Sequence, residues 1–222
     1  MGWLEFIAAY GVFFLSHLVP VRPPLRPWLQ DRLGKAGFTF TYSLLSVAVL
    51  AWLIAAAGRA PHVPIWGWAP WQVWVPLVVM LPVCVILALS IARPNPFSFG
   101  GARDESFDPA RPGMTRWTRH PLLAAITLWS VAHMVPNGDL AHVILFGTFA
   151  LFALAGRWLI DRRKRRGMGA RWDALRAATA DAALFPPPVS KGGAAVRLAA
   201  GVGLYALLLW LHPWLFGVSP LP

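Results

Sequence analysis

The chain has 222 residues, of which 57% are hydrophobic and only 13% charged, with a formal net charge of +11. Thirteen tryptophans and thirteen phenylalanines exclude an ordinary soluble composition. The single cysteine, Cys84, excludes an intramolecular disulfide and a cysteine-based zinc cluster, and the lack of a C-x-x-C-H run excludes covalent haem attachment.

Several apolar runs reach the roughly 20 residues with which a helix crosses a bilayer. The expected fold is therefore all-α: a polytopic membrane bundle of about six transmembrane helices plus a cytoplasmic interfacial helix, with residues 1–222 as one integral membrane domain. The first span is expected over roughly 3–20. It lacks a basic leader and an A-x-A cleavage site, so it reads as a retained helix. Pro20, Pro23, Pro24 and Pro27 break the chain after it, and residues 21–36 read as a basic loop. The second span is expected over roughly 37–58, followed by the Pro/Trp-rich loop APHVPIWGWAPW (60–71), whose indoles suit a membrane interface. The third, roughly 71–92, carries Pro76 and Pro82, each expected to kink it. The fourth, roughly 121–135, is short and is expected to extend back through Met114–His120 or to sit in thinned bilayer. PNGD (136–139) holds Asn137-Gly138, a turn dipeptide expected to exploit a positive φ at the glycine, and makes the fourth and fifth spans a helical hairpin. The fifth runs over roughly 140–160 and the sixth over roughly 195–216. Between them, residues 168–183 read as a helix lying on the inner surface, ended by FPPP (185–188).

Of the 20 basic residues, Arg59 alone falls in the loops after even-numbered spans. The excess of Lys and Arg on one side marks that side as cytoplasmic and puts both termini on the opposite face. The charge thus signals topology and attraction to anionic lipid on the cytoplasmic side; it does not call for nucleic acid.

The carboxylates form no shared-face pair suited to acid–base work or a di-iron site, and no hydrolase, nucleotide-binding or H-E-x-x-H motif occurs. Histidines remain. Ionisable groups within a bilayer are costly and mark function by default. His62 is in a loop, while His142 and His212 flank the outer surface. His120, after Arg119, opens a helix where it can meet an anion. His17 and His133 lie inside spans one and four. Two internal imidazoles with few carboxylates fit axial ligation of haem better than a zinc site. At 1.5 Å per residue, however, His17 and His133 differ in depth by roughly 13 Å, and the pairs His17/His120 or His133/His212 are better matched in depth.

RHPLLAAITLWSVAHMVPNGDLAHVILFGTFALFA (119–153), FFLSHLVPVRPPLRPWLQDRLGKAGFTFTYSLLS (13–46) and LHPWLFGVSPLP (211–222) resemble motifs of the NnrU family of bacterial membrane proteins, in the same order. The resemblance implies residence in the bacterial inner membrane, with both termini periplasmic, and an association with nitric oxide and denitrification metabolism. The same motifs are similar to those of 15-cis-zeta-carotene isomerases, which depend on haem b. Carried over by position, that likeness makes His17, in LSHL, and His133, in VAHM, the axial ligands. A cysteine implicated in ligand switching there corresponds to Ser130 here. The implied protein binds haem b non-covalently, with Trp129, Phe14 and Phe146 as pocket walls, and handles nitric oxide, redox equivalents or an apolar substrate such as a polyene. R-H-P at a helix start also resembles S-adenosylmethionine-dependent membrane methyltransferases, in which Arg119 and His120 would contact that cofactor. Leu123 and Ala125 depart from their usual R-H-P-x-Y-x-G continuation. A third expectation is a non-enzymatic factor assisting a respiratory nitrogen-oxide reductase.

Overall fold

A computed structural model of the chain describes residues 2–99 and 102–222. Seven α-helices carry the fold among them: α1 (Gly2–Leu18), α2 (Leu25–Arg59), α3 (Trp74–Ser90), α4 (Pro121–Met134), α5 (Leu140–Met168), α6 (Ala170–Asp181) and α7 (Lys191–Phe216). Short 3₁₀ turns at Pro70–Val73, Asp104–Ser106 and Gly113–Arg116 complete it, and no strand occurs among the described residues. Four stretches are long and apolar enough to cross a bilayer: Leu25–Arg59, Pro70–Ser90, Leu140–Met168 and Lys191–Phe216. The apolar helices α1 and α4 have 17 and 14 residues, about 26 and 21 Å of rise, shorter than the hydrocarbon core. Large apolar side chains point outward: Leu4, Phe40, Leu151, Phe152 and Trp210 are each about two-thirds exposed or more. Water would not tolerate that surface, and lipid requires it. The chain is a helical membrane protein.

The described residues fall into two compact units, Met1–Gly67 with Gly138–Leu145, and Trp68–Asn137 with Phe146–Pro222. In the first, α1 packs on α2. Glu5 of α1 accepts from Trp52 Nε1 at 3.2 Å and is ion-paired with Arg59. Arg59, the exception in the charge pattern, is thus the partner of one of the chain's two glutamates. The expected loop 21–36 is largely helical instead. Pro27 sits in the first turn of α2, where its missing N–H deprives no carbonyl. The actual break is Gly34, with φ 71 and ψ 164, a conformation that only glycine adopts cheaply.

Gly138 serves differently from the expectation. Its φ is not in the left-handed region; its carbonyl accepts from Ile65 and Trp66 N–H at 2.7 and 3.1 Å. A Cβ there would lie 2.5 Å from the Trp66 carbonyl oxygen. The glycine is required by close backbone approach.

In the second unit, α3 packs on both α4 and α7. Pro82 lies inside α3, whereas Pro76 falls in its first turn and breaks no hydrogen bond, so the kink expected at Pro76 has no cause. Contacts along α7 recur about every four residues. Arg197 Nη1 donates to the Ala88 and Ile91 carbonyls at 2.7 and 2.9 Å, satisfying the end of α3. A Cβ on Gly201 would meet Val85 Cα at 2.9 Å, and Tyr205 Oη donates to Leu77 O at 2.8 Å. Helices α4 and α5 run antiparallel: Met134 lies beside Gly147, Trp129 beside Phe146, and Leu123 beside Gly156. The expected extension of the fourth span through Met114–His120 is absent, because Pro121 forces its predecessor out of helical geometry, leaving His120 at φ −121, ψ 66.

Gly138→Val is expected to lower stability by about 1–3 kcal/mol through overpacking against Trp66, read as a fall in the thermal unfolding midpoint in detergent. An unchanged midpoint would rule out the close approach.

Candidate functional site

Two polar clusters stand out in the second unit, one at each end of α4. The first grows from the R-H-P motif. With Pro121 as the first helical residue, Arg119 and His120 lie outside the helix and turn toward α5. Arg119 donates to Asp161 through Nη2 at 2.6 Å and Nε at 3.4 Å. His120 Nε2 meets Asp161 Oδ1 at 2.9 Å, and its Nδ1 meets Ser98 Oγ at 3.0 Å. A carboxylate only accepts, so Nε2 carries the proton and Nδ1 of the neutral ring accepts from the Ser98 hydroxyl. Asn95 Nδ2 donates to the Arg119 carbonyl at 3.0 Å, tying the loop before α4 into the same network. His120 is only 2% exposed. Burial pushes its pKa below the ordinary imidazole value; the Asp161 carboxylate opposes that shift, and Arg119 and Arg157 add to it. The ring expected to meet an anion is therefore already engaged at both nitrogens.

The second cluster gathers around His133. Its Nδ1 lies 2.9 Å from the Trp129 carbonyl. A carbonyl cannot donate, so the proton sits on Nδ1 and the Nε2 lone pair remains for a ligand. His212 on α7 repeats the arrangement, with Nδ1 2.8 Å from Val218 O. Both histidines line one cavity of about 380 Å³, together with Met80, Trp129, Tyr205 and Phe216. Phe146 closes against the His133 and Trp129 rings at 5.6 and 5.4 Å. One turn before His133, Ser130 is wholly buried and its Oγ has no hydrogen-bond partner among the described residues.

His17 belongs to the first unit. Its Nδ1 lies 2.7 Å from the Phe13 carbonyl and its ring stacks on Phe13 at 4.2 Å. Its Nε2 is thus left in the same state as that of His133. Phe14, the third expected wall residue, stacks on Tyr10 in that unit. His142 pairs with Asp139 at 2.6 Å, and His62 is exposed. No group of three or more His, Cys, Asp or Glu suited to a metal ion occurs among the described residues. The donor chemistry of His17, His133 and His212, imidazoles whose Nδ1 is held by a carbonyl and whose Nε2 has no partner among the described residues, fits axial haem ligation.

Sequence reasoning missed Asp161, Ser98 and Asn95; it placed His212 at the outer surface and left it open as a depth-matched partner of His133. Asp161 is the one acidic residue in the 29-residue α5. That isolation, just before a basic run, was the available signal.

Neutral His120 has a signed consequence. The unfolded chain takes up a proton below pH about 6.5, whereas the folded ring resists protonation until lower pH. This contribution to stability is complete above that value, is lost progressively as pH falls toward the folded pKa, and is flat below it. His120→Gln should therefore flatten the fall in unfolding temperature between about pH 7 and 5. An unchanged slope would mean the folded ring titrates normally. Asp161→Asn, which strands Arg119, should cost about 1–3 kcal/mol.

No curated protein and no solved structure matches the chain. The family model described as "NnrU protein" matches residues 5–220, nearly the whole length, and the chain belongs to the NnrU family.

Proposed function

We propose that this protein binds haem b non-covalently in the membrane, with His133 as one axial ligand, and uses it in redox-linked handling of a small apolar molecule. The observation that carries the reading is the single cavity in which His133 and His212 each commit Nδ1 to a backbone carbonyl and keep Nε2 as a lone pair. The cavity favours His212 as the second ligand; the likeness to the zeta-carotene isomerases favours His17. Bound haem would supply a redox-active iron whose remaining chemistry depends on its axial ligands. The chain's own part is definite. Trp129 O and Val218 O hold the imidazoles in the ligating tautomer. Trp129, Phe146 and Met80 keep the surroundings apolar and exclude water. Nitric oxide and a polyene are both apolar enough for such a site, which is why nitrogen-oxide metabolism and polyene cis–trans isomerisation are the roles we favour. The cytoplasmic face, under this reading, is the one bearing the basic loops, with both termini periplasmic in a bacterial inner membrane. Methyl transfer is less well supported, because Arg119 and His120 are spent on Asp161 and Ser98.

Protein expressed with ample haem should show a b-type, low-spin, six-coordinate spectrum. His133→Ala should remove most of the Soret band. Of His212→Ala and His17→Ala, the one that yields five-coordinate haem or loses it identifies the second ligand. His62→Ala and His142→Ala should leave the spectrum unchanged. A colourless wild-type protein that cannot be reconstituted with haem would end this proposal.

A further inference from the structure

The stretch where α5 leaves its apolar run, and α6 which follows it, build a cavity that the haem reading does not use. It has a volume of about 580 Å³, and five arginines line it: Arg119, Arg162, Arg165, Arg166 and Arg176. Trp158, Trp172 and Asp161 complete the wall. Asp161 is already held by Arg119 and His120. Arg165 reaches Asp173 only at 3.4 Å, between two exposed side chains. Arg162, Arg166 and Arg176 have no carboxylate partner among the described residues and are exposed.

Trp172 organises the cluster. The guanidinium carbons of Arg119, Arg165 and Arg176 stand 5.7, 5.7 and 5.6 Å from its ring centroid, and Arg162 stands 5.4 Å from that of Trp158. A tryptophan face attracts one guanidinium well. Three around one ring repel one another, and the repulsion is stronger where lipid and protein lower the dielectric. Trp172 is itself 4% exposed, and its Nε1–H has no acceptor among the described residues. A buried donor without an acceptor, beside three guanidiniums of which only Arg119 and Arg165 meet a carboxylate, leaves unanswered positive charge here.

We propose that this cavity is a specific site for a phosphate-bearing anion, gripped by Arg162, Arg166 and Arg176, the arginines of its lining that have no carboxylate partner among the described residues. Guanidinium groups bind phosphate oxygens in pairs, with fixed geometry, which lysine cannot do. The place suits the chemistry: the apolar run of α5 gives way to arginines here, as a spanning helix does where it leaves the hydrocarbon for the headgroups. A lipid headgroup and a free phosphate present the same group. The site is independent of haem.

The full chain is placed in phosphatidylcholine nanodiscs with and without phosphatidylglycerol, and phosphatidylglycerol retained after detergent extraction is counted by mass spectrometry. In a second arm, inorganic phosphate is titrated into the phosphatidylcholine discs at constant ionic strength, with thermal unfolding as the readout. Saturable retention of phosphatidylglycerol identifies the lipid as the source; stabilisation by inorganic phosphate identifies the free anion. In either case Arg162→Gln/Arg176→Gln should weaken the response about tenfold or more, the loss of two charge-assisted contacts. Arg22→Gln/Arg26→Gln, which removes equal charge elsewhere, should leave it within about twofold. Absence of both responses, or equal loss in the two variants, would overturn the proposal, the second outcome showing only diffuse attraction of a basic protein to anions.

Discussion

A helix cannot continue backward through a proline without losing its predecessor to extended geometry, and the second unit is arranged around that constraint at Pro121. The residue expelled from the helix is His120, and Arg119 goes with it. Both side chains are thereby delivered to Asp161, 42 and 41 residues further along the chain, in an arrangement a continuous helix would forbid. Once that end is fixed, the antiparallel register of α4 on α5 follows turn by turn. The matching small residues, Gly156 and Gly147, let the two helices approach where Leu123 and Met134 need room. In a bilayer, where apolar burial gives helices little reason to choose one another, such close contacts and polar ties decide the pairing.

Helix α3, on which α4 packs, is tied to α7 in the same way. Arg197, Gly201 and Tyr205 recur at about one helical turn, and each engages backbone of α3. Backbone is the one feature of an apolar helix that offers hydrogen bonds or a groove, and each of these residues uses it differently: by capping, by lacking a side chain, by donating a phenolic proton. The same face, extended by two turns, carries His212 to the cavity that His133 lines. The histidines therefore share a cavity because α3 packs on both α4 and α7.

Much of this was legible in residue order, and the failures share a cause. Helix number and most boundaries follow from apolar run length and proline punctuation, both local. The start of α2 was hidden because its first turns are rich in arginine and proline, a composition shared by loops, and only Gly34 separates them from the apolar run. Gly138 was identified as special for the wrong reason: an Asn-Gly pair suggests a turn, but the space beside it belongs to Trp66, far away in sequence. The partner of the R-H-P motif was invisible for that reason too. Local patterns name residues that need partners; which carboxylate or carbonyl answers is set by tertiary packing. The depth estimate left His133/His212 open as a pair because depth along a helix is itself a local quantity, and those two residues line one cavity.

Distance along α4 separates two roles that its histidines might otherwise seem to share. His120 and His133 are thirteen residues apart, roughly 20 Å of helix. One ring is locked between a carboxylate and a hydroxyl, with both nitrogens used. The other keeps a lone pair in an apolar cavity. Imidazole chemistry is the same in both, so the surroundings set them apart: a polar clamp makes His120 an anchor, whereas His133 has one nitrogen on a carbonyl and faces a largely apolar cavity. The R-H-P motif then acts on the cavity only through the helix it starts. Conservative changes to the clamp should move His133 by tilting or sliding α4, whereas changes beside Trp129 and Phe146 alter what His133 meets without disturbing where it stands.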